Sequence, residues 1–320
     1  ATGVLGVPLV QVLLNRGHTV RVLARQPISG DQFGGPVEVV EGDLRDPEAL
    51  ELAVAGVDWI FHLAAKLHIN DPGEEARKEY ISVNVEGTQN LLAAAATRSV
   101  QKFVFFSTIN VYGPTVSGDR LNEASSLVPA GIYAETKVSG ERLVLAAKNS
   151  GQQDIGIVLR LAAVYGSRMK GNYLRLAQAI SKGKFLFVGK GLNSRTLVHQ
   201  SDAAAAAVLA AECAKGGSIY NVTDGSVYTL RKIADAVGDA LGKKVSRIHL
   251  PIKPIRVGIA AVETLGRGLG IRPPVSRGLL DKFLEDIAVD GSRIQQELGF
   301  RPRFDLKQGW NEAVDSMIRK

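Results

Sequence analysis

Short apolar runs alternate with helical patterns through the first two thirds of the chain. The run Phe103–Phe106 is apolar throughout, which is typical of a strand buried on both faces of a parallel sheet. Asp46 followed by Pro47 is a favourable helix start, because aspartate caps the helix and proline suits its first turn. This alternation predicts an α/β domain with a doubly wound parallel sheet. The predicted strands are Thr19–Leu23, Val37–Glu41, Asp58–Leu63, Lys102–Ser107, Ile155–Arg160 and Ser218–Val222. The predicted helices are Pro8–Arg16, Pro47–Val54, Arg77–Arg98, Ile132–Asn149 and Asp202–Ala214.

The last third of the chain differs, because prolines interrupt a basic stretch that favours helices. The segment Tyr165–Asn193 also leaves the sheet pattern, whereas Arg195–Asp202 returns to it. We therefore expect a sheet domain from residues 1–164 and 195–224, and a smaller C-terminal substrate lobe from residues 165–194 and 225–320. The chain opens on a glycine-rich turn that no strand precedes, so we also expect the first central strand to be missing from the given sequence.

Composition and charge narrow the possible classes of protein. The longest purely apolar run, Ala203–Ala211, is too short to span a bilayer, and no secretion signal opens the chain. Cys213 is the single cysteine and the five histidines have no metal-ligand spacing, so we expect a cytoplasmic protein without a metal. The net charge is +7, and residues 231–320 contain 17 basic and 11 acidic residues. This basic tail suits an anionic partner or a plain solvated surface.

A glycine-rich turn near the start of the chain suggests a phosphate-binding site. Gly3 and Gly6 precede a predicted helix, whose N-terminus offers N–H groups and a positive dipole end to a pyrophosphate. Arg25 follows the first predicted strand, where an arginine can pair with a ribose 2′-phosphate. The turn therefore indicates a dinucleotide, and Arg25 favours NADP over NAD.

Two further motifs follow predicted strands. Asp43, next to Leu44, can accept a hydrogen bond from an adenine amino group. Leu63, Ala64 and Ala65 end the third predicted strand, and the small alanines would let a cofactor lie against the backbone. Each motif taken singly is equally well explained as a turn or a packing position.

The main chemical signal is Tyr133-x-x-x-Lys137. Two side chains four residues apart share one face of a helix, and a lysine ammonium is expected to lower the pKa of a nearby phenol. Tyr133 could then exchange protons near neutral pH. Thr108 ends a predicted strand one loop earlier and would place a hydroxyl opposite the phenol. Tyr228 has the same spacing to Lys232, but it follows the last predicted strand, opens a different helix and lacks such a hydroxyl.

Taken together, these motifs resemble the extended short-chain dehydrogenase/reductase family, and in particular its NAD(P)-dependent nucleotide-sugar epimerase/dehydratase branch. The resemblance implies a Rossmann domain that binds NAD(P), a C-terminal lobe that binds a nucleotide sugar, and a homodimer paired through the helices that carry Asn84 and Tyr133. The matching motifs are Thr2-Gly3-x-x-Gly6, Gly42-Asp43-Leu44, His62-Leu63-Ala64-Ala65, Asn84-x-x-Gly87-Thr88, Ser107-Thr108, Val111-Tyr112-Gly113, Tyr133-x-x-x-Lys137, Leu159-Arg160, Val164-Tyr165-Gly166, Tyr220-Asn221-Val222 and Glu297–Pro302.

The resemblance also implies roles for individual residues. Tyr133 would be the general acid/base, Lys137 would hold the nicotinamide ribose, and Thr108 would hydrogen-bond the reacting sugar oxygen. Asn84 would line the cofactor site, although its position on an otherwise apolar helix would by itself favour the surface.

Departures from the branch narrow the reaction. Its dehydratases have two acids after the threonine, where this chain has Ile109 and Asn110, so 4,6-dehydration is not expected. This leaves 4-epimerisation or reduction of a 4-keto sugar.

The substrate contacts match the branch only in part. Asn172 and Arg195 resemble residues of the branch that bind the nucleotide diphosphate. Lys66 and His68 resemble the residues at this position in 4-keto-sugar reductases. The Phe-Asn pair of many epimerases is replaced by Ala162-Ala163, and Lys282 is the nearest candidate for a second basic ligand.

Two alternatives stay open. Hydroxysteroid dehydrogenases share most of these motifs, and the basic, apolar segment Pro254–Leu269 could lie on a membrane surface. A non-catalytic dinucleotide-binding protein would leave Thr108, Tyr133 and Lys137 without a purpose. Nucleic acid is not an expected partner, because stacking aromatics are not evident at 6% aromatic content.

Overall fold

The computed structural model describes residues 1–67, 73–115, 118–268 and 277–318. Within them the strands are β1 (Arg21–Ala24), β2 (Glu38–Glu41), β3 (Trp59–His62), β4 (Lys102–Thr108), β5 (Gly156–Leu161), β6 (Ala163–Tyr165), β7 (Phe187–Val188), β8 (Ser194–His199), β9 (Ser218–Val222), β10 (Val227–Thr229) and β11 (His249–Leu250). The α-helices are α1 (Gly6–Asn15), α2 (Pro47–Val54), α3 (Glu74–Ile81), α4 (Gly87–Ala96), α5 (Ile132–Leu145), α6 (Asn172–Ser181), α7 (Gln200–Cys213), α8 (Leu230–Ala240), α9 (Ile252–Gly268), α10 (Arg277–Leu284), α11 (Ser292–Leu298) and α12 (Leu306–Ile318).

The larger sheet is parallel and has the strand order β3-β4-β5-β9. Alternate residues of β4 face opposite layers: Val104 and Phe106 pack in one core with α7, and Phe103 and Phe105 pack in another core with α2, α4 and α5. All four side chains are buried. Helices therefore cover both faces of the sheet, which confirms the predicted doubly wound α/β architecture.

The first two strands form a separate parallel pair, β1-β2. Among the described residues no strand joins this pair to β3, and α1 packs against α7. The expectation of a further central strand outside the given sequence stays a prediction.

The predicted elements agree with the structure except at two helices. The helix predicted over Ile132–Asn149 ends four residues earlier, at Leu145, and Lys148 instead forms an antiparallel bridge with Asp154. Residues Pro47–Val54 form α2, and Asp46 caps it by accepting the N–H groups of Glu48 and Ala49. The single helix predicted over Arg77–Arg98 is instead α3 and α4, joined by a π-helical turn at Ser82–Glu86. Such turns often occur at functional sites, because the extra residue re-aims a side chain.

A second core lies in the C-terminal part of the chain. It is built around Tyr165 and Trp310, whose rings stack with centroids 5.0 Å apart, and it includes apolar residues of α6, α8 and α12. The strands beside it form the sheet β10-β8-β6 and the short pair β11-β7.

One part of the predicted lobe packs elsewhere. Ile287, Val289, Ile294 and Phe300 join the core of the larger sheet. The division at residues 164, 194 and 224 stays a prediction, but the segment that follows α10 contributes to the sheet domain's core.

Within the described ranges no helix is long and apolar enough to cross a membrane. The same residues contain no group of His, Cys, Asp or Glu side chains that could hold a metal ion. Cys213 is exposed.

Candidate active site

The residues predicted to be catalytic lie on neighbouring elements. Thr108 is the last residue of β4, and Tyr133 and Lys137 are one helical turn apart on α5, which packs against β4 and β5. The carboxyl ends of parallel strands in a doubly wound sheet form the usual ligand-binding edge. The sequence-predicted catalytic set is therefore carried by elements that meet at this sheet.

Lys137 is buried against the sheet, with its side chain only 2% exposed. Its Nζ atom lies over the Phe105 ring, 4.2 Å from the centroid, in a cation–π contact. Burial lowers the pKa of Lys137 to about 7, against the opposing effect of Glu141. The ammonium therefore titrates near neutral pH.

The phenol of Tyr133 is half-buried, and burial raises its pKa above the ordinary tyrosine value, with Tyr80 acting in the same direction. The expectation that Lys137 would acidify this phenol is wrong for this structure. The reason is physical: removal from water disfavours the phenolate, and the Lys137 ammonium lies over the Phe105 ring. Tyr133 is thus a neutral phenol at physiological pH.

Asn84 is the central positioning residue, and it lies on the π-helical turn between α3 and α4. Its Oδ1 accepts the backbone N–H of Lys66 at 2.6 Å, and its Nδ2 donates to the Lys66 carbonyl at 3.2 Å and to Thr136 Oγ1 at 3.1 Å. Thr136 in turn donates to the Tyr133 carbonyl at 2.8 Å. Asn84 is 2% exposed, so its apolar helix context pointed wrongly to the surface.

His62, at the end of β3, extends the same network. Its Nε2 lies 2.8 Å from Thr88 Oγ1, which donates to the Asn84 carbonyl at 2.7 Å. Burial lowers the pKa of His62 to about 3, and the charge of Lys137 acts in the same direction. His62 is therefore a neutral ring beside Phe105. Only the motif in which it stands signalled this residue in the sequence.

Ser107 and Thr108, predicted as neighbours at the site, have different surroundings. Thr108 is half-buried, and its Oγ1 accepts the N–H of Asn110 at 3.2 Å. Ser107 instead donates to Glu141 Oε1 at 2.5 Å in the interior. Successive strand residues point to opposite faces, so one hydroxyl at most can face a substrate.

A buried ion pair lies beneath α5. Arg160 on β5 donates to both Glu141 oxygens, with Nη2 at 2.7 Å from Oε2, and its Nη1 donates to the Tyr112 hydroxyl at 2.9 Å. Tyr112 then donates to Asn221 Oδ1 on β9 at 2.8 Å. Glu141 is one turn beyond Lys137, so this network fixes the helix that carries the candidate acid/base. The sequence analysis missed it because no local spacing joins these residues.

The glycine-rich turn has the features that a pyrophosphate needs. Gly6 is the first residue of α1, no side chain caps that end, and its first turn contains no acidic residue. A Cβ on Gly6 would overlap the Ala1 carbonyl, whereas a Cβ on Gly3 would point into open space. Gly3 is exposed. The N–H groups and the dipole of α1 therefore suit a dinucleotide diphosphate.

The loops that follow β1 and β2 carry two arginines and an aspartate. Arg25 is exposed after β1, and Asp43 forms an ion pair with Arg45, whose Nε is 2.6 Å from Oδ1. The hydrogen bond from Arg45 lowers the pKa of Asp43, and the charge of Arg25 adds to the effect. Asp43 thus already accepts one side-chain hydrogen bond. Leu44 is buried, and its side chain lies close to Gly87.

The loop after β3 is joined to Asn84 through the backbone of Lys66. Leu63 is half-buried against the sheet core, Ala64 is exposed and Ala65 is half-buried. Lys66, predicted to contact a substrate, forms an ion pair with Glu79 on α3. His68, which was grouped with it, lies outside the described residues.

The two predicted diphosphate ligands differ in their surroundings. Arg195 is buried on β8. Its guanidinium donates to the backbone carbonyl of Phe283, near the end of α10, and to that of Glu285, just after this helix. These bonds use donors that a phosphate would need. Asn172 is exposed as the first residue of α6. The side chain of Lys282 is not among those that the structure describes.

The second Tyr-x-x-x-Lys spacing has a different conformation. Tyr228 lies in strand β10, and α8 begins only at Leu230, so the prediction that Tyr228 opens a helix is wrong. Its side chain packs in the C-terminal core. The motif around Tyr133 is therefore the one that lies on a helix.

Comparison with known proteins agrees with this arrangement. A model of the NAD dependent epimerase/dehydratase family matches residues 1–223. The chain belongs to this family. The family is NAD-dependent, and its members within the extended short-chain dehydrogenase/reductase group share the α/β fold described above.

Individual relatives of this family differ in their named substrates. The N-acetyl-alpha-D-glucosaminyl-diphospho-ditrans,octacis-undecaprenol 4-epimerase of Escherichia coli O157:H7 is 28% identical over 275 residues, covering 85% of this chain and 81% of that protein. A 3 beta-hydroxysteroid dehydrogenase/Delta 5-->4-isomerase of Mycobacterium tuberculosis is 28% identical, covering 98% and 87%. The structure of MoeE5 with UDP-glucuronic acid and NAD is 25% identical, with a TM-score of 0.77 over 99% of this chain and 96% of that one.

Proposed function

We propose that this epimerase/dehydratase-family enzyme interconverts a secondary alcohol and a ketone at C4 of a diphosphate-linked sugar, as a 4-epimerase or a 4-keto-sugar reductase. The observation that carries the proposal is the pair Tyr133 and Lys137 on α5, fixed to the loop after β3 through Asn84 and Thr136. Acid/base chemistry beside a nicotinamide needs a proton donor at a fixed position, and this network supplies one.

In the direction of reduction, the neutral phenol of Tyr133 donates its proton to the carbonyl oxygen of the substrate. In the direction of oxidation, Tyr133 takes the hydroxyl proton back. Lys137, one helical turn further along α5 and with a pKa near 7, would carry a positive charge toward the nicotinamide ribose below that pH. Thr108 Oγ1 would hydrogen-bond the reacting oxygen from the end of β4.

A bound NAD(P) would supply the hydride acceptor and donor for this exchange. The N-terminus of α1 at Gly6 would hold its diphosphate, and Arg25 with the Asp43–Leu44 turn would meet the adenosine. Lys137 and Asn84 would lie toward the nicotinamide end. Arg25 favours a 2′-phosphate, so we propose NADP ahead of NAD.

Dehydration is not part of the proposal. Ile109 and Asn110, which begin the 3₁₀ turn after β4, carry no carboxylate that could drive elimination of water. The named 4-epimerase and MoeE5 support a sugar substrate, since the first is named for a diphosphate-linked sugar and the second binds UDP-glucuronic acid.

A second candidate is a hydroxylated lipid or sterol as the alcohol. It is favoured by Arg195, whose guanidinium is bound to backbone carbonyls, and by the steroid dehydrogenase relative that spans nearly the whole chain. The chemistry at Tyr133 would be unchanged. A homodimer paired through α3, α4 and α5 and a cytoplasmic location stay predictions.

The deciding experiment offers the purified protein UDP- and dTDP-hexoses, their 4-keto forms and a panel of sterols, and follows nicotinamide absorbance and product sugars. Net NADPH consumption with a keto sugar identifies a reductase, and sugar interconversion without net redox change identifies an epimerase. Turnover of sterols alone would replace the sugar proposal by the second candidate.

The mechanism itself is tested with Tyr133→Phe. This variant should lose turnover and keep dinucleotide binding, because only the proton-donating hydroxyl is removed. Tyr228→Phe is the matched control, since Tyr228 has the same spacing to a lysine but lies in the C-terminal core. Undiminished turnover of Tyr133→Phe would refute the assignment, and a non-catalytic protein would show no turnover with either form.

A further inference from the structure

The outward face of α9 is apolar. Val257 is 69% exposed and Val262 is 50% exposed, and Pro254, Gly258 and Ala261 are also exposed. At 100° per residue these positions lie on one side of the helix. A solvated helix normally carries charges on its outer side, whereas this face of α9 carries none.

The inward face of α9 is partly buried. Ile255, Ile259 and Ala260 are half-buried. Glu263 is the acid of this helix, and it is turned inward, where it forms an ion pair with Arg277 on α10 at 2.6 Å. No carboxylate of α9 therefore opposes an anionic surface placed against its outer face.

The surrounding sequence is strongly cationic. Lys253 is exposed at the edge of this apolar face, whereas Arg256 lies on the opposite side of α9 and forms an ion pair with Asp281 on α10. Residues 241–280 contain one acidic residue, Glu263, and eight basic residues: Lys243, Lys244, Arg247, Lys253, Arg256, Arg267, Arg272 and Arg277. Three of these cations, Arg247, Arg256 and Arg277, form ion pairs with Asp235, Asp281 and Glu263, so their charge is partly neutralised.

We propose that the outer face of α9 is a docking surface for an anionic lipid bilayer. Exposed valines would enter the boundary between headgroups and acyl chains, and Lys253 at the edge of this face would meet lipid phosphates. The helix would lie in the plane of the membrane, because its 17 residues are not long and apolar enough to cross it. The charge of the segment favours this partner over an uncharged protein surface.

The docking face is connected to the candidate site through α10. Arg195 on β8 holds the carbonyls of Phe283 and Glu285, and Asp286 accepts the backbone N–H of Ser194 at 2.5 Å. The Asp286 carbonyl accepts the N–H of Thr115 at 2.8 Å, in the loop that follows Thr108 by a few residues. These contacts link α10, which packs against α9, to the loop that follows β4. The inference does not depend on which substrate the site takes.

The test is co-sedimentation of the full chain with phosphatidylcholine vesicles that contain or lack phosphatidylglycerol. We expect binding to the anionic vesicles that weakens with salt, because the cations of this segment act through screened charge. Val257→Asp/Val262→Asp should weaken this binding by about tenfold or more, because the two valines would no longer enter the bilayer. Lys253→Gln should weaken it by about fivefold. Leu52→Asp is the matched control, because Leu52 is equally exposed on α2, and it should bind like the wild type.

A labelling measurement gives a second, independent result. With Cys213 replaced by serine, a polarity-sensitive dye on Val257→Cys should shift to the blue on anionic vesicles, and the same dye on Leu52→Cys should not. The proposal fails if the wild type binds neither kind of vesicle, or if the two aspartates leave binding unchanged. It also fails if the wild type binds no vesicles but forms a concentration-dependent dimer that the two aspartates abolish. In that case α9 would be a contact between copies of the chain.

Discussion

The side-chain amide of Asn84 pairs with the backbone of Lys66 through two hydrogen bonds, one accepted at 2.6 Å and one donated at 3.2 Å. The same amide nitrogen reaches Thr136, which bonds the carbonyl of Tyr133. A single buried residue thus ties the loop after β3 to the helix that carries the candidate acid/base. The π-helical turn allows this because it directs Asn84 inward between two helices.

Asn84→Asp should separate this positioning role from simple packing. The aspartate keeps the acceptor for Lys66 but loses both donated bonds, so we expect unfolding to become easier by about 1–3 kcal/mol. Misplacement of Tyr133 should lower kcat by up to about 100-fold. Urea unfolding and steady-state kinetics measure both effects. Gln89→Glu, an exposed amide on α4, is the control and should change stability by less than about 0.5 kcal/mol. An Asn84→Asp enzyme with wild-type kcat would contradict the positioning role.

The buried ion pair beneath α5 should contribute far more to stability than an exposed pair on the same helix. Glu141→Gln leaves the Arg160 guanidinium without its charge partner in the interior, which should cost about 3–5 kcal/mol. Glu135→Gln removes the exposed pair with Arg77 and should cost less than about 1 kcal/mol. Urea unfolding of both variants makes the comparison. Equal losses would mean that the interior pair is not what fixes α5.

Gly140 is required by the approach of α5 to the sheet. A Cβ at this position would lie 2.6 Å from Cζ of Phe105, the ring that Lys137 covers. Gly140→Ala should therefore cost about 1–3 kcal/mol through overpacking and should also lower turnover. Gly258→Ala on α9, where a Cβ meets open space, should instead stabilise by about 0.5–1 kcal/mol. Thermal or urea unfolding distinguishes the two signs, and a neutral Gly140→Ala would mean that the ring moves at no cost.

The sequence predicted the fold well because its signals were local. Strand Ser218–Val222 and helix Pro47–Val54 have the predicted bounds, since alternation and an aspartate cap act over a few residues. Tyr133 and Lys137 were found by their spacing together with the predicted strand that ends at Thr108 one loop earlier. The tertiary features were not predictable in this way: the Glu141–Arg160 pair joins residues from different elements, and the burial of Asn84 depends on a π-helical turn. The pKa of Tyr133 was predicted in the wrong direction, because sequence gives a neighbour's charge but not the loss of water.

Arg25 should determine the choice between the two dinucleotides. Arg25→Glu replaces an attractive charge by a repulsive one, so the Kd for NADPH should rise by about 10- to 100-fold while that for NADH changes little. Nicotinamide fluorescence titration measures both constants. Arg98→Glu changes the net charge equally at the end of α4 and is the control. A parallel loss of both dinucleotides would place Arg25 in folding and not in recognition.

The buried ammonium of Lys137 should give the protein a distinct dependence of stability on pH. Its pKa is about 7 when folded and ordinary for lysine when unfolded, so between these values the folded chain binds fewer protons than the unfolded chain. The free energy of unfolding therefore rises with pH above about 7, by up to about 1.4 kcal/mol per pH unit, and this contribution is constant below that pH. Urea unfolding of the wild type and of Lys137→Met between about pH 6 and pH 9 isolates the effect as the difference between the two proteins. Lys78→Met removes an exposed lysine of α3 and is the control for the loss of one charge. If the difference between wild type and Lys137→Met stays constant across this range, Lys137 is not a titrating buried group, and a pKa of about 7 for its ammonium is wrong.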